Sequence, residues 1–183
     1  MSKFRTQTLS AFVTAGEVVA CPAEAVWGLS CDPFSESAVE ALLAMKGRAV
    51  NKGLIVVAAD VGMLGTVFTS LSASERNEVM LSWPGNNTWV LPNQGYFPAW
   101  ITGDSGYVAV RLTASPALRA LSAAVDGPLV STSANPAGAL PARHGFQVVN
   151  YFGPGLPRAV GQVDLHGRPS TIRQIGSDEI IRA

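Results

Sequence analysis

Two short runs in this sequence carry the residue types of an anion site: Lys46-Gly47-Arg48 and Ser131-Thr132-Ser133-Ala134-Asn135. In an extended segment, residues two apart project to the same side, so Lys46 and Arg48 would converge on one anion. Lysine brings a point charge and arginine a planar fork, a pairing suited to a polyphosphate, and Lys52 lies close by. The competing reading is two solvated basic residues at a helix C-terminus, where the dipole favours cations. The second run leaves the carboxyl end of an apolar strand, the place where α/β sheets put ligands. Its hydroxyls and amide, followed by Pro136 and Gly138, are donors for phosphate or ribose oxygens. Its alternative is a polar strand-to-loop transition capped by its own side chains.

Arg111 is a third candidate, because it sits in the otherwise apolar run Val108-Ala109-Val110-Arg111-Leu112. A charge there is costly to bury alone. Either it pairs with an acidic residue in the core, or it faces a cleft and meets a carboxylate ligand. Trp83-Pro84-Gly85 before Thr88, and Pro169-Ser170-Thr171-Ile172, are weaker features that mean little singly. Other chemistry is absent from the pattern. The two histidines, His144 and His166, have no neighbouring Ser, Cys or Asp pattern of a triad or metal site. Neither a Walker loop nor a Gly-x-Gly-x-x-Gly run occurs.

The elements that must position these residues alternate between strand and helix. Residues 18–21, 26–29, 54–59, 88–91, 108–112 and 129–132 read as strands, with weaker candidates at 159–163, 170–175 and 179–181. Leu9, Phe12 and Val13 share a helix face that Gly16 ends. Ser37-Ala38-Val39-Glu40 is a capping-box pattern opening a helix to Met45, with Gly47 at its C-terminal cap. Ser72-Ala73-Ser74-Glu75 opens another helix, and Ser115-Pro116 a third with Ser as N-cap and Pro first in the helix. Residues 135–158, rich in Gly and Pro, are the least regular part. This interleaving implies an α/β protein with some parallel pairing, in one domain spanning residues 1–183.

Composition narrows the function classes. Of the 183 residues 48% are hydrophobic and only 14% charged, with thirteen basic and thirteen acidic side chains balancing to zero. A protein held to nucleic acid by bulk electrostatics is basic overall, so any RNA contact here must be local. Cys21 and Cys31 fit neither a zinc cluster nor a Cys-x-x-Cys redox pair, and read as free, buried or half-buried thiols. The start Met1-Ser2-Lys3-Phe4-Arg5-Thr6 lacks the apolar run of a signal peptide. No stretch reaches the roughly 20 apolar residues of a membrane helix. The expected location is the cytoplasm.

Taken in order, Pro22-Ala23-Glu24-Ala25-Val26-Trp27-Gly28-Leu29, Lys46-Gly47-Arg48, Lys52-Gly53-Leu54-Ile55, Trp83-Pro84-Gly85 with Thr88, Val110-Arg111, Ser131 through Asn135 with Gly138, and Pro169-Ser170-Thr171-Ile172 resemble the YrdC-type threonylcarbamoyl-AMP synthases. The likeness runs over nearly the whole chain, and its short form is similar to the bacterial TsaC subgroup. The resemblance implies a single-domain, twisted, mixed α/β sheet with flanking helices around a large concave cavity. It implies a nucleotidyltransferase that makes threonylcarbamoyl-adenylate and pyrophosphate from L-threonine, bicarbonate and ATP. A separate threonylcarbamoyl-transferase complex would then modify an adenosine beside the anticodon of tRNA.

Carried onto this sequence, the resemblance makes Lys46 and Arg48 the catalytic grip on the ATP phosphates. Ser131, Ser133 and Asn135 would line the adenylate site with Thr88 nearby, and Ser170 and Thr171 would close the cavity. Arg111 would take the threonine carboxylate, with Glu24 as a further threonine contact. Mg²⁺ would be held by ATP oxygens, with no tightly bound, protein-ligated metal. The sequence departs from the family pattern at Ala23 and Ala25, where threonines are usual, at Ala49, and at Asn86-Asn87. Two other readings compete. One is a non-catalytic RNA-binding or ribosome-maturation factor using the same basic cleft. The other is a carbamoyl-adenylating enzyme acting on another amine, whose relatives carry zinc-finger and acylphosphatase modules for which this chain has no room.

Overall fold

Val56 and Val57 are both fully buried, yet they belong to different hydrophobic clusters. Successive side chains of a strand point to opposite faces, so a sheet runs through the middle of the molecule with apolar material on both sides. The computed structural model describes residues 3–177 and 180–182. Among these the strands are β1 (Val19–Pro22), β2 (Trp27–Ser30), β3 (Ile55–Ala58), β4 (Asn87–Pro92), β5 (Tyr107–Leu112), β6 (Leu129–Ser133), β7 (Thr171–Gln174) and β8 (Ile180–Arg182). The helices are α1 (Lys3–Thr14), α2 (Glu36–Lys46), α3 (Thr66–Thr69), α4 (Ala73–Met80), α5 (Ala99–Thr102), α6 (Pro116–Val125) and α7 (Gly145–Phe152).

The strands form one eight-stranded sheet in the order β1-β2-β6-β3-β5-β4-β7-β8. The pairs β3–β5 and β4–β7 are parallel and the rest antiparallel. The expected single α/β domain with a mixed open sheet is what the chain forms. On one face, Leu9 and Val13 of α1 and Leu118 and Leu121 of α6 cover Val19, Cys21, Val57 and Leu129. On the other, Val39, Leu42 and Leu43 of α2 join Leu29, Val56 and Val110 in the larger cluster. At about 25 cal/mol per Å² of apolar surface removed from water, this two-sided burial is the main drive to fold.

Local sequence explains most element ends, and some expectations need correction. Helix α4 has the capping box read from Ser72 and Glu75, and α6 starts with Ser115 capping Leu118 N and Pro at its first turn. The capping box expected from Ser37 does not form. The extended residue Ser35 is the N-cap and accepts from Ala38 N at 3.4 Å, because the Asp32-Pro33-Phe34 turn brings the chain into the helix two residues earlier. Residues 159–163 are not a strand: the segment makes a single bridge at Ala20 and Arg158. Pro22, which ends β1, and Pro157 both lack an N–H, so the ladder cannot extend. The stretch expected to be least regular holds α7, with Val148 buried on its inner side. Of the strand expected at 179–181, Glu179 lies outside the described residues, as do Met1 and Ser2 of the N-terminal run. Cys21 and Cys31 are free and buried, and burial pushes both thiols up to about 12. Among the described residues, no helix is long and apolar enough to cross a membrane.

Candidate active site

The sheet face that α1 and α6 cover continues past them as an open, concave floor. Register shows the transition: Val57 pairs with Leu129 under the helices, whereas Ile55 pairs with Ser131 and Ala109 in the open. Alternation then places Ala109 with Arg111, and Ser131 with Ser133, on this floor. The cleft is about 420 Å³ and its charged lining residues are Glu24, Arg48, Lys52, Arg111 and Arg182. Among the described residues, four cations against one carboxylate make it an anion site. A larger hollow of about 720 Å³ lies at the far end of β3, but its charged lining is Asp32, Asp60 and Asp126, which would repel phosphate.

Arg111 answers both readings of its sequence position. It lines the cleft, and its Nη2 lies 3.0 Å from Glu24 Oε2, with side chains only 7% and 16% exposed. Glu24 is itself anchored, since its Oε1 accepts from Thr113 Oγ1 at 2.7 Å and from Ala114 N at 3.1 Å. Burial lowers the Arg111 pKa, the neighbouring Glu24 opposes that shift, and Arg182 adds to it. The Nε of Arg111 and the Oε2 of Glu24 have no hydrogen-bond partner, the ion pair apart.

Lys46 is not a solvated helix-end residue. It is buried, and its Nζ donates to Ser133 O and, at 3.0 Å, to Asn135 O. Its own carbonyl accepts from Ala137 N at 2.7 Å. The extended geometry expected for Lys46 and Arg48 is also absent, because Gly47 is left-handed at φ 61°. That turn sends Lys46 behind the 131–135 loop and Arg48 toward Gly53 O, 2.8 Å from its Nη2. Lys46 thus staples the loop from beneath, while Arg48 faces the cleft.

Burial, reinforced by Arg48, lowers the Lys46 pKa to about 8. The unfolded chain keeps that proton to about 10.5, the ordinary value, so it binds more protons than the folded chain between these limits. Stability of the parent chain relative to Lys46→Met should therefore rise with pH from 8 toward 10.5 and stay constant below 8. Urea unfolding of both proteins at several pH values checks this, and a difference independent of pH would contradict it.

The other expected residues divide. Ser131, Ser133 and Ser170 line the cleft with Glu24, Arg48 and Arg111, whereas Lys46, Thr88, Asn135 and Thr171 do not line it. Thr88 Oγ1 donates to Ser170 Oγ at 2.9 Å. Asn135 turns its Nδ2 to Pro136 O and Ala139 O at 3.0 and 2.8 Å, closing its own loop. Arg182 was missed: it donates from Nε and Nη2 to Ser170 O and from Nη2 to Ser170 Oγ, at 2.9–3.1 Å. Its only signal was a cation ending the short apolar run Ile180-Ile181-Arg182. Asn86, noted only as a departure, and Thr132 also line the cleft. Among the described residues, no group of three or more His, Cys, Asp or Glu side chains is placed to hold a metal.

An open mixed α/β sheet whose uncovered face carries three further cations around one anchored Arg111–Glu24 ion pair defines a class of anion-binding α/β proteins. A family model described as "Telomere recombination" (Sua5_yciO_yrdC) matches residues 11–183, and the chain belongs to this family. It is 44% identical over 185 residues to a threonylcarbamoyl-AMP synthase of Pseudomonas syringae, covering 100% of this chain and 99% of that one. It is 45% identical over 184 residues to one of Pseudomonas aeruginosa, covering 100% and 98%. Among solved structures, P. abyssi Sua5 complexed with L-threonine superposes with a TM-score of 0.88 at 26% identity, over 98% of this chain and 53% of that longer one. E. coli YciO, at 18% identity and TM-score 0.84 over 99% and 89% of the two chains, shares the fold.

Proposed function

We propose that this chain is a threonylcarbamoyl-AMP synthase, a nucleotidyltransferase acting in tRNA modification. It joins L-threonine, bicarbonate and ATP into threonylcarbamoyl-adenylate and releases pyrophosphate. The observation that carries the reading is the anchored Arg111–Glu24 pair inside a cationic cleft, in a chain matched end to end by such synthases.

The amino-acid end and the phosphate end of the reaction fall on different residues. Arg111 takes the threonine carboxylate through charge-assisted bonds. Glu24 Oε2, held beside it, takes the ammonium group, so the fixed ion pair is complementary to an α-amino-acid zwitterion. Once the amine loses a proton it attacks the carbon derived from bicarbonate, and water leaves as the carbamate forms. A carbamate oxygen then attacks the α-phosphorus of ATP, and the bond to pyrophosphate breaks. No covalent protein nucleophile is required. The task is to align three ligands, exclude water and neutralise charge on the phosphates. Arg48 and Lys52 do the last from the cleft wall, with Lys46 adding its charge from behind the loop.

Ser131 and Ser133 offer hydroxyls to the adenylate, on a loop whose shape Asn135 maintains. Thr88 holds Ser170 and, with Thr171, sets the closing edge. The single carboxylate that lines the cleft among the described residues is engaged by Arg111, so this donor set does not suit a resident Mg²⁺. Mg²⁺ would instead come bound to the oxygens of ATP, as part of that substrate. The product, a reactive mixed anhydride, passes to a threonylcarbamoyl-transferase complex.

Pyrophosphate release tests the reading. It should require L-threonine and bicarbonate together; release that ignores threonine, with tight tRNA binding instead, would favour the non-catalytic RNA-binding alternative. Ala23 lines the cleft beside Glu24 and offers no hydroxyl. Ala23→Thr adds one hydrogen bond, worth about 0.5–1.5 kcal/mol, so the KM for threonine should fall about two- to tenfold. Steady-state kinetics at saturating ATP would show it, and an unchanged or higher KM would refute it.

A further inference from the structure

Asn86 stands at the lip of the cleft, in the turn between Trp83 and β4, and the steps above give it no role. The turn is pinned at two adjacent residues: Gly85 N donates to Leu112 O at 3.0 Å, and Asn86 O accepts from Thr171 N at 3.1 Å. From that fixed point its side chain reaches two elements. Nδ2 donates to Arg168 O at 2.7 Å and to Pro169 O at 3.4 Å. Oδ1 accepts from Arg111 Nη1 at 3.5 Å. A guanidinium only donates and a main-chain carbonyl only accepts, so one orientation of the amide serves both and the flipped one serves neither.

Glu24 alone would leave the Arg111 guanidinium free to swing about its single Nη2 contact. The contact from Asn86 to Nη1 removes that swing, and the two carbonyl bonds keep the amide from following the arginine. We propose that Asn86 is a positioning residue that aims Arg111 at the substrate carboxylate and ties that aim to the 168–170 lip of the cleft. This inference rests on Arg111 being the partner of that carboxylate. At 3.5 Å the Arg111 bond is long, so the effect is moderate.

Asn86→Ala and Asn86→Asp test it, compared with the parent chain in steady-state kinetics for each substrate and in calorimetry with L-threonine. Asn86→Ala should raise the KM for threonine about fivefold, the scale of one net hydrogen bond. The KM for ATP and kcat should stay within about twofold. Asn86→Asp should raise the threonine KM further, because its carboxylate competes with the substrate for Arg111 and faces two carbonyls. A purely structural role would raise both KM values together and lower the melting temperature. That result, or a parental threonine KM in both variants, would overturn the proposal. Asn86 is half-buried in a surface turn, and Asn86→Asp, nearly the same shape, still reports if the alanine variant melts early. If the parent chain turns over threonine and the variants match it, only the role of Asn86 falls. If the parent chain shows no threonine-dependent turnover, the functional reading falls, and this inference with it.

Discussion

Arg111→Ala is expected to raise the KM for L-threonine a hundredfold or more while leaving the KM for ATP within a few fold. Truncating one member of a hydrogen-bonded charge pair costs about 2–5 kcal/mol, and Arg111 is the cleft cation fixed beside the carboxylate that takes the ammonium group. Arg48 and Lys52 line the same cleft but serve the phosphates. The same substitution also strands Glu24, whose side chain is 16% exposed and loses the one ion-pair partner it has among the described residues. Breaking a buried pair by removing one side costs up to about 3–5 kcal/mol of stability, because an uncompensated charge stays behind. Glu24→Gln added to Arg111→Ala removes that charge, so the double variant should regain stability without regaining threonine affinity. Urea unfolding and substrate kinetics on the two proteins separate the effects. Equal loss for threonine and ATP would contradict the carboxylate role.

Lys46→Met keeps the length of the side chain and removes the charge, and it should lower kcat/KM for ATP by about a hundredfold. Two carbonyls, Ser133 O and Asn135 O, lose their donor, at about 1–3 kcal/mol for each buried polar group left unmade. The 131–135 loop would then drift, and a positive charge behind the nucleotide would be gone. Both losses fall on ATP, because Ser131 and Ser133 belong to the nucleotide half of the cleft. Threonine binding measured without ATP should be nearly unchanged. A variant with parental ATP kinetics would remove Lys46 from the site.

How far these residues could be read in the sequence depended on distance along the chain. Strand β3 and the start of β6 were visible because Val56, Val57, Ala58, Leu129 and Val130 are buried on both faces of the sheet, giving continuous apolar runs. Helices α4 and α6 were visible because Ser72, Glu75, Ser115 and Pro116 cap them locally. Helix α7 was not, because Gly145, the β-branched pair Val148-Val149 and the aromatic pair Tyr151-Phe152, in a Gly- and Pro-rich stretch, disfavour a helix locally. Packing of Val148, Tyr151 and Phe152 against the core, with the His144–Gln147 capping box, reverses that preference. The single-turn helices α3 and α5 are too short for any periodicity to show.

The candidate site divides along the same line. Residue types flagged Lys46, Arg48, Arg111 and the 131–135 loop, but not where each side chain goes. The direction of Lys46 depends on one left-handed glycine, Gly47. The partner of Arg111 is Glu24, from a loop far away in sequence and brought near only by the sheet. Arg182 comes from the last described strand and joins the cleft through Ser170. Such contacts are set by topology, and a local pattern carries no trace of them.

The most direct measurement follows the carbon. With ¹³C-bicarbonate, L-threonine and ATP, mass spectrometry should find an adenylate that carries both the threonine mass and one ¹³C, in step with pyrophosphate release. Pyrophosphate formed without threonine, or an adenylate of threonine lacking the label, would contradict the account.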